Sequence, residues 1–398
     1  MGSSVAKKAR PRFLFLESFY GGSHKAFADG LAAHSRHRID LVTLPARFWK
    51  WRMRGAALEF RRRIPDPTGY HGLIVTDLMS LSDLKSLWAA RCPPALVYFH
   101  ENQLSYPLPE GERMDYHFGF TDITTALAAD RVLFNSHTHR MAFLEGLGPF
   151  LRRLPEHRPL WAAEEIRRKS DVLYPGYDFG DAGPGGGAHG PGGKSAVGES
   201  ESAGGAEASR AAENGPPLII WNHRWEFDKD PEAFFAAVNA AADRGHPFRL
   251  ALLGENFQSV PQAFEEAKRR HATRIVRYGW EPSRRAYLSW LRRGDIVVST
   301  AIQENFGISV VEAVRCGCYP LLPLRLSYPE LLPEEFHGPC LYSSSEELTG
   351  KLCALLADPR GFWREQARML ARHMERFSWN NLIDRYDEEL QRLTEAEN

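Results

Sequence analysis

Ser299-Thr300-Ala301-Ile302-Gln303-Glu304-Asn305-Phe306-Gly307-Ile308-Ser309-Val310-Val311-Glu312-Ala313 decides how the chain is read. Just ahead of it, Asp295-Ile296-Val297-Val298-Ser299 has the apolar run of a short buried strand. Behind it, Ile308, Val311 and Val314 recur at helical spacing until Gly317 stops them. The stretch therefore predicts a strand, a loop carrying Glu304, a glycine, and a helix carrying Glu312 on its second turn. In open α/β sheets, ligands bind beyond the carboxyl ends of the strands. The N–H groups of Phe306, Gly307 and Ile308 are expected at a helix N-terminus, where free donors and the dipole favour phosphate. A carboxylate on either side of that point can grip a vicinal diol. Phosphate between two polyols describes a sugar nucleotide. Two glutamates at the start of an amphipathic helix are also a common structural pattern, so the order of elements around them has to carry the reading.

With 398 residues, 43% of them hydrophobic and 25% charged, two packed α/β halves are the natural division. Lys+Arg and Asp+Glu balance at 50 each, so nucleic-acid binding has to come from a local patch. Cys92, Cys316, Cys318, Cys340 and Cys353 lack paired zinc spacing and are odd in number, which suits a reducing compartment. Cys316-Gly317-Cys318 reads as packing at a helix end. No stretch approaches the roughly 18 apolar residues of a membrane span, and Met1 to Pro11 is basic with no apolar run ahead of a cleavage site. A cytoplasmic enzyme is expected, with the nucleus open if the source is eukaryotic, and no membrane partner.

In chain order, the strand Phe13–Leu16 runs into Glu17-Ser18-Phe19-Tyr20-Gly21-Gly22-Ser23-His24-Lys25 and a helical run through Leu31. Gly21 and Gly22 there suit either a phosphate approach loop or a plain turn; the Gly-Lys-Ser/Thr ending of a Walker loop is absent. Strands at Ile39–Leu44, Gly72–Thr76, Ala95–Phe99 and Arg131–Ser136 alternate with helical segments, as in a parallel doubly wound sheet. Leu96-Val97-Tyr98-Phe99 ends in His100-Glu101-Asn102-Gln103, at the active-site edge of such a sheet. Most of the 15 histidines read as surface or capping residues; His100 is the one whose placement points to a site.

The segment 180–216 is Gly, Ala, Ser, Glu and Pro with almost no large apolar residue, and it is expected to be a disordered insertion. Order resumes with the strand Leu218–Trp221, followed by Asn222-His223-Arg224-Trp225-Glu226-Phe227-Asp228-Lys229-Asp230-Pro231. Pro231 suits the first turn of a helix to about Asp243. Arg224 and Lys229 then project from a loop at a strand's carboxyl end, where a fork and a point charge suit a diphosphate. Asp228-Lys229-Asp230 has the Asp-x-Asp form of a metal clasp, but Lys229 between the aspartates already supplies a cation, so the aspartates are expected to cap the helix. Further strands are expected at Arg249–Leu253 (ending in Gly254-Glu255), Ile275–Tyr278 and Asp295–Ser299, with edge strands at Tyr319–Leu322 and Cys340–Tyr342. Helices at 345–357 and 361–376 lead to a last amphipathic helix.

Glu304-x7-Glu312 with Phe306-Gly307 resembles the donor signature of retaining GT-B glycosyltransferases of family 4. Glu17 to Lys25, Phe99-His100-Glu101-Asn102-Gln103, His223-Arg224-Trp225-Glu226, Asp228-Lys229-Asp230-Pro231-Glu232 and Cys316-Gly317-Cys318-Tyr319-Pro320 resemble, more narrowly, the tRNA-queuosine α-mannosyltransferases. The likeness covers nearly the whole chain outside the 180–216 insertion. It implies a GT-B architecture: two Rossmann-like doubly wound domains facing across a cleft. The expected division is 1–179 for acceptor binding, 180–216 as insertion, 217–360 for the nucleotide sugar, and 361–398 as terminal helices, the last crossing back to the first domain. It further implies GDP-mannose as donor and the cyclopentenediol of queuosine in the anticodon loop of tRNA(Asp) as acceptor, with no cofactor and no metal.

Carried over by position, the resemblance makes Arg224 and Lys229 diphosphate contacts, Glu312 the ribose carboxylate, and Glu304, Asn305, Phe306, Gly307 and Ile308 the sugar-and-phosphate loop. Gly21, Gly22 and Gly254 join the donor site, and His100 stands near the transferred hexose. His100, Glu304, Arg224 and Lys229 are the expected catalytic set. A family 4 enzyme acting on a lipid or small glycoside, and a non-catalytic RNA-binding relative, are the other readings; the intact Arg224, Lys229, Glu304 and Glu312 set opposes the last. For the tRNA, the stretch Arg47-Phe48-Trp49-Lys50-Trp51-Arg52-Met53-Arg54 with Arg61-Arg62-Arg63 is the most basic and aromatic in view. Arg47, Lys50, Arg52, Arg54, Arg61 and Arg62, with His117, are the expected acceptor contacts. Cations take phosphates and flat rings stack on unpaired bases. The same run also fits a solvated helix face with Trp49 or Trp51 packed in the core.

Overall fold

The computed structural model describes residues 10–108, 111, 113–180, 215–255 and 260–395; the expected insertion 180–216 lies outside these except for its ends. The chain falls into two compact units, Met1–Asp178 with Phe377–Asn398, and Phe179–Arg376. Helix Trp363–His373 belongs to the second unit, and helix Trp379–Glu395 packs in the first.

The first unit holds β1 (Arg12–Tyr20), β2 (Arg38–Pro45), β3 (Gly72–Thr76), β4 (Ala95–Phe99), β5 (Arg131–Phe134) and β6 (Ser170–Val172) in the order β2-β1-β3-β4-β5-β6. Every pairing is parallel. Strands covered on both faces need near-continuous apolar runs, and β3 and β4 are buried at every residue. Side chains alternate between the two faces. Leu14 and Leu16 join Val75, Phe99 and Phe134 on one side, while Phe13 and Phe15 join Tyr98, Phe27, Trp379 and Tyr386 on the other. The terminal helix thus completes the core of the first sheet.

The second unit holds β7 (Leu218–Trp221), β8 (Arg249–Leu252), β9 (Ile275–Tyr278), β10 (Ile296–Val298), β11 (Tyr319–Pro323) and β12 (Leu341–Tyr342), also all parallel, in the order β12-β11-β10-β7-β8-β9. The expectation of an edge strand at Tyr319–Leu322 is corrected: β11 lies between β10 and β12. Pro320 inside this interior strand needs an account, because proline cannot donate to a ladder. Tyr319 N–H bonds Asp295 O on the β10 side, and successive N–H groups point to opposite sides. Pro320 would therefore donate towards β12, which first pairs further along, at Leu322. Its missing donor costs nothing there.

Each sheet has one point where the chain reverses its direction of growth, between β1 and β3 in the first and between β7 and β10 in the second. Such switch points open a crevice at the carboxyl ends of the strands. Among the described residues, no helix is long and apolar enough to cross a membrane. All five cysteines are free, and Cys316 and Cys318 are buried at the end of helix Ile308–Arg315.

Candidate functional site

At the second sheet's switch point, the loop after β7 is laced to the loop after β10. Ile302 and Gln303 N–H donate to Asp228 O at 2.9 and 3.2 Å, and Thr300 Oγ1 donates to Lys229 O and Asp230 O at 2.9 and 2.7 Å. Lys229 is buried. Its Nζ donates to Gln303 O at 2.6 Å and stands 3.2 Å from Asp228 Oδ2 and 3.5 Å from Glu304 Oε2. Arg224 is half exposed, 3.2 Å from Glu226 and 3.8 Å from Asp228. The two aspartates part company here. Asp230 Oδ1 caps helix Pro231–Asp243 by accepting from Ala233 N–H at 3.1 Å. Capping was expected of both, and Asp228 departs from it: it is fully buried and pairs with the two cations.

Gly307 has φ +93°, the left-handed conformation that glycine adopts without Cβ strain, and it starts helix Ile308–Arg315. Glu304 Oε1 accepts from Gly307 N–H at 3.0 Å and from Phe306 N–H at 3.4 Å. Two of the donors expected to face phosphate thus hold a carboxylate, and Ile308 carries the first N–H of the helix itself. Burial works to raise the Glu304 carboxyl, but Lys229, His223 and the Phe306 N–H outweigh it and hold it below its ordinary value. Asn305 Oδ1 accepts from Gln303 Nε2 at 3.0 Å, and the Phe306 ring is buried.

Glu312 is buried on the same helix with both oxygens engaged: Oε1 lies 2.6 Å from Arg284, and Oε2 accepts from Tyr287 OH at 2.8 Å. Burial raises its carboxyl, with Arg284 and Tyr287 opposing. Neither Arg284 nor Tyr287 was anticipated; both sit on a helix whose charge pattern names no partner. Asn222 Nδ2 donates to Tyr287 OH and Ser309 O, and His223 Nδ1 meets Ser309 Oγ at 3.3 Å. Burial lowers the His223 imidazole to about 4, with Lys229 adding to the effect. Asn222 Oδ1 and His223 Nε2 are buried without a partner among the described residues, the kind of orphan a polar ligand satisfies. Gly254 closes this loop from the β8 side. A Cβ there would stand 2.2 Å from His223 O and 2.4 Å from the Trp225 ring.

At the first sheet's switch point, the groups that meet are only partly those singled out in the sequence. Gly21, extended, packs against Ala46, and Gly22 begins helix Gly22–His34. His100 N–H donates to Asp77 Oδ1 at 2.8 Å, and its ring lies 4.1 Å from that of His24. His24 Nδ1 is 3.4 Å from Glu17 Oε2, while Glu17 Oε1 accepts from Phe19 N–H at 2.8 Å and Thr76 Oγ1 at 3.1 Å. Burial would lower the His24 imidazole, but Glu17, Asp77 and Glu101 outweigh it and raise it to about 9. Burial and the His24 charge instead drive His100 well below its ordinary value, so His100 is neutral. Asp77 is raised by its burial, and its Oδ2 has no partner among the described residues. It directly follows β3, so its place at a strand's carboxyl end was readable. The donor atoms of Glu17, His24 and His100 lie within 4.8 Å of one another, close enough to clasp a cation. With His24 protonated against Glu17, a cation would first have to displace that proton.

The expected acceptor residues lie on helix Trp49–Arg63 and beside it. Trp51 is 77% exposed and Phe48 70%, while Trp49 packs on Phe118 with ring centroids 5.1 Å apart. Arg47, Lys50 and Arg54 are exposed, and His117 lies exposed beside Phe118. Arg52 reaches Pro45 O and Arg61 reaches Leu87 O; Arg62, with Arg63, pairs with Glu59.

Residues 12–177 match the family described as tRNA-queuosine alpha-mannosyltransferase N-terminal, and residues 206–375 match glycosyl transferases group 1. The tRNA-queuosine alpha-mannosyltransferase of Drosophila melanogaster is 35% identical over 382 residues, covering 95% of this chain and 96% of that one. The GDP-mannose:cellobiosyl-diphosphopolyprenol alpha-mannosyltransferase of Xanthomonas oryzae pv. oryzae is 24% identical over 175 residues, 43% of this chain and 46% of that one. The catalytic domain of starch synthase IV from Arabidopsis thaliana, bound to ADP and acarbose, superposes with a TM-score of 0.69 at 13% identity, over 98% of this chain and 100% of that one. Sucrose-phosphate synthase from Thermosynechococcus elongatus gives 0.67 at 16%, over 97% and 100%. The fold is that of the GT-B glycosyltransferases.

Proposed function

The chain belongs to the tRNA-queuosine alpha-mannosyltransferase family of glycosyltransferases, and from that membership we propose that it moves mannose from GDP-mannose, with retention, to the cyclopentenediol of queuosine in the anticodon loop of tRNA(Asp). The observation that carries the donor half is the buried Lys229 beside Glu304 and Asp228 at the second switch point. As the anomeric bond breaks, charge gathers on the leaving diphosphate. On this reading Lys229, Arg224 and the helix starting at Gly307 stabilise it by preorganised electrostatics. This reading assigns Glu304 with Asn305 and Phe306 to the sugar and Glu312 to the ribose. No metal takes part, so EDTA leaves the rate unchanged; loss on chelation, restored by a divalent ion, would bring the Glu17, His24 and His100 cluster or Asp228 into the chemistry. The direct test incubates the protein with queuosine-containing tRNA(Asp) and a panel of nucleotide sugars, then identifies the modified nucleoside by mass. Transfer only to lipid or small glycosides would overturn the acceptor.

Glu312→Ala is expected to raise the donor KM, because ribose is gripped alike in ground and transition states. Loss of charge-assisted hydrogen bonds worth about 1.5–3 kcal/mol gives roughly 10- to 150-fold. Glu304→Ala is expected to lower kcat instead, since it orients the reacting sugar. Steady-state kinetics with unchanged constants in both variants would remove the donor assignment.

Alanine at Arg52, Arg54, Arg61 and Arg62 together is expected to weaken tRNA binding and flatten its salt dependence by up to about 0.9 per phosphate left unneutralised. Donor affinity stays put. Unaltered affinity and slope in a folded variant would place the acceptor surface elsewhere.

A further inference from the structure

The basic stretch from Arg47 to Arg63 is not alone. Between Lys268 and Arg293 stand nine lysines and arginines against a single carboxylate, Glu281, in a chain with formal net charge 0. These residues surround β9, the exposed edge strand of the second sheet. Helix Gln262–Arg270 leads into it and helix Arg284–Arg293 leads away.

Some of that charge is already matched. Arg270 pairs with Asp243, Arg277 with Glu281, and Arg284 with Glu312, each at 2.6 Å. Lys268, Arg269 and Arg285 are exposed and, among the described residues, have no carboxylate partner; Lys268 only lies over the Tyr278 ring, at 4.9 Å. Basic residues in the last turn of a helix complement its dipole, which explains Lys268 and Arg269 in part. Arg285 has the opposite problem. It sits in the first turn of helix Arg284–Arg293, which has no acidic residue to meet the positive end of the dipole. A cation there weakens its own helix, so the helix alone does not account for it. Charged side chains also protect exposed sheet edges, but either sign serves that purpose. Over the three elements, 262–293, the nine cations outnumber the carboxylates Glu265, Glu266 and Glu281 three to one, and with the Trp280 ring 54% exposed at the strand's carboxyl end that excess fits a polyanion with flat bases.

We propose that the rim around β9, through Lys268, Arg269 and Arg285, is a second contact surface for the acceptor RNA, gripping its phosphate backbone. This rests on the reading that the acceptor is a tRNA. A four-residue edge strand spans ~13 Å, room for two or three phosphates. An anionic membrane is the weaker fit, since an interfacial helix needs an exposed apolar face. On helix Arg284–Arg293, Leu291 is buried and Tyr287, Leu288 and Trp290 are half-buried.

The test is Lys268→Ala/Arg269→Ala/Arg285→Ala in the full chain, with Arg285→Glu as an independent single change. Binding of queuosine-containing tRNA is measured across a salt series, beside GDP-mannose binding and thermal stability. The triple variant is expected to bind the tRNA at least ~10-fold more weakly near physiological salt, with the salt slope reduced by about 0.7–0.9 for each phosphate it no longer neutralises. GDP-mannose affinity and melting temperature stay at wild type. Unchanged tRNA affinity and slope, with wild-type binding intact, would overturn this surface and leave the function standing. If the wild type binds no tRNA, the acceptor reading fails and this surface with it. Loss of binding to phosphatidylserine vesicles in the variants, with tRNA binding unmoved, would assign the rim to lipid instead.

Discussion

Lys229→Ala lowers kcat for sugar transfer by about 10²-fold, the effect of removing one preorganised charge from a site of developing negative charge. Donor KM moves less, because most of the stabilisation arises only as the diphosphate leaves. The change also disturbs the fold. Lys229 Nζ is the cation beside fully buried Asp228, and breaking a buried pair from one side costs about 3–5 kcal/mol. Activity therefore has to be measured where the variant is shown folded. Arg224→Ala supplies the control: its side chain is 46% exposed, so it lowers kcat more than tenfold with little loss of stability. Single-turnover rates separate chemistry from release. A folded Lys229→Ala enzyme with wild-type kcat would make Lys229 a structural cation for Asp228 and end its role as a diphosphate contact.

What was legible in the sequence follows from range. β3, β4 and β7 have the bounds read from their apolar runs, because a parallel strand covered on both faces has no polar alternation to blur its ends; β9 keeps its expected bounds too, although it is an exposed edge strand with Arg277 inside it. β6, Ser170-Asp171-Val172, was missed: three residues with an exposed aspartate at the centre give no periodic signal. The same division runs through the sites. Glu304, Gly307 and Glu312 were visible because their placement depends on neighbours a few residues away in one strand, loop and helix unit. Their partners were not. Arg284 and Tyr287 reach Glu312 from another helix, and Lys229 meets Glu304 only because β7 and β10 lie side by side. Asp228 shows how local reasoning misleads: its position beside a helix start suggested a cap, and two nearby cations claimed it instead. In the first unit, His100 was readable at the end of β4, whereas the His24 charge that joins burial in keeping it neutral depends on Glu17, within β1, and Asp77, just after β3.

That charge gives the second large effect, Glu17→Gln. Glu17 is fully buried and the His24 imidazole beside it is raised from 6.5 to about 9, a difference of about 3 kcal/mol. The folded state holds this proton more tightly than the unfolded state. The stability it contributes is therefore fully present below pH 6.5 and is lost as pH rises through about 9. The amide keeps an oxygen for Phe19 N–H and Thr76 Oγ1 but removes the charge, leaving burial to dominate and His24 neutral in the folded variant. Below pH 6.5 the variant suffers further, since its unfolded chain binds a proton there that its folded chain refuses. The stability gap between wild type and variant is thus widest in mild acid and closes as pH passes 9. Unfolding of a two-unit chain is not a single transition, so hydrogen exchange of the β1 amides, Phe13 to Leu16, is the local readout. His100 responds in the same variant. Without a cation against its ring, burial still lowers its imidazole but the His24 contribution is gone, and its NMR titration moves upward. A gap of constant size across the pH range, or a His100 titration that does not move, would mean that His24 carries no proton in the folded enzyme.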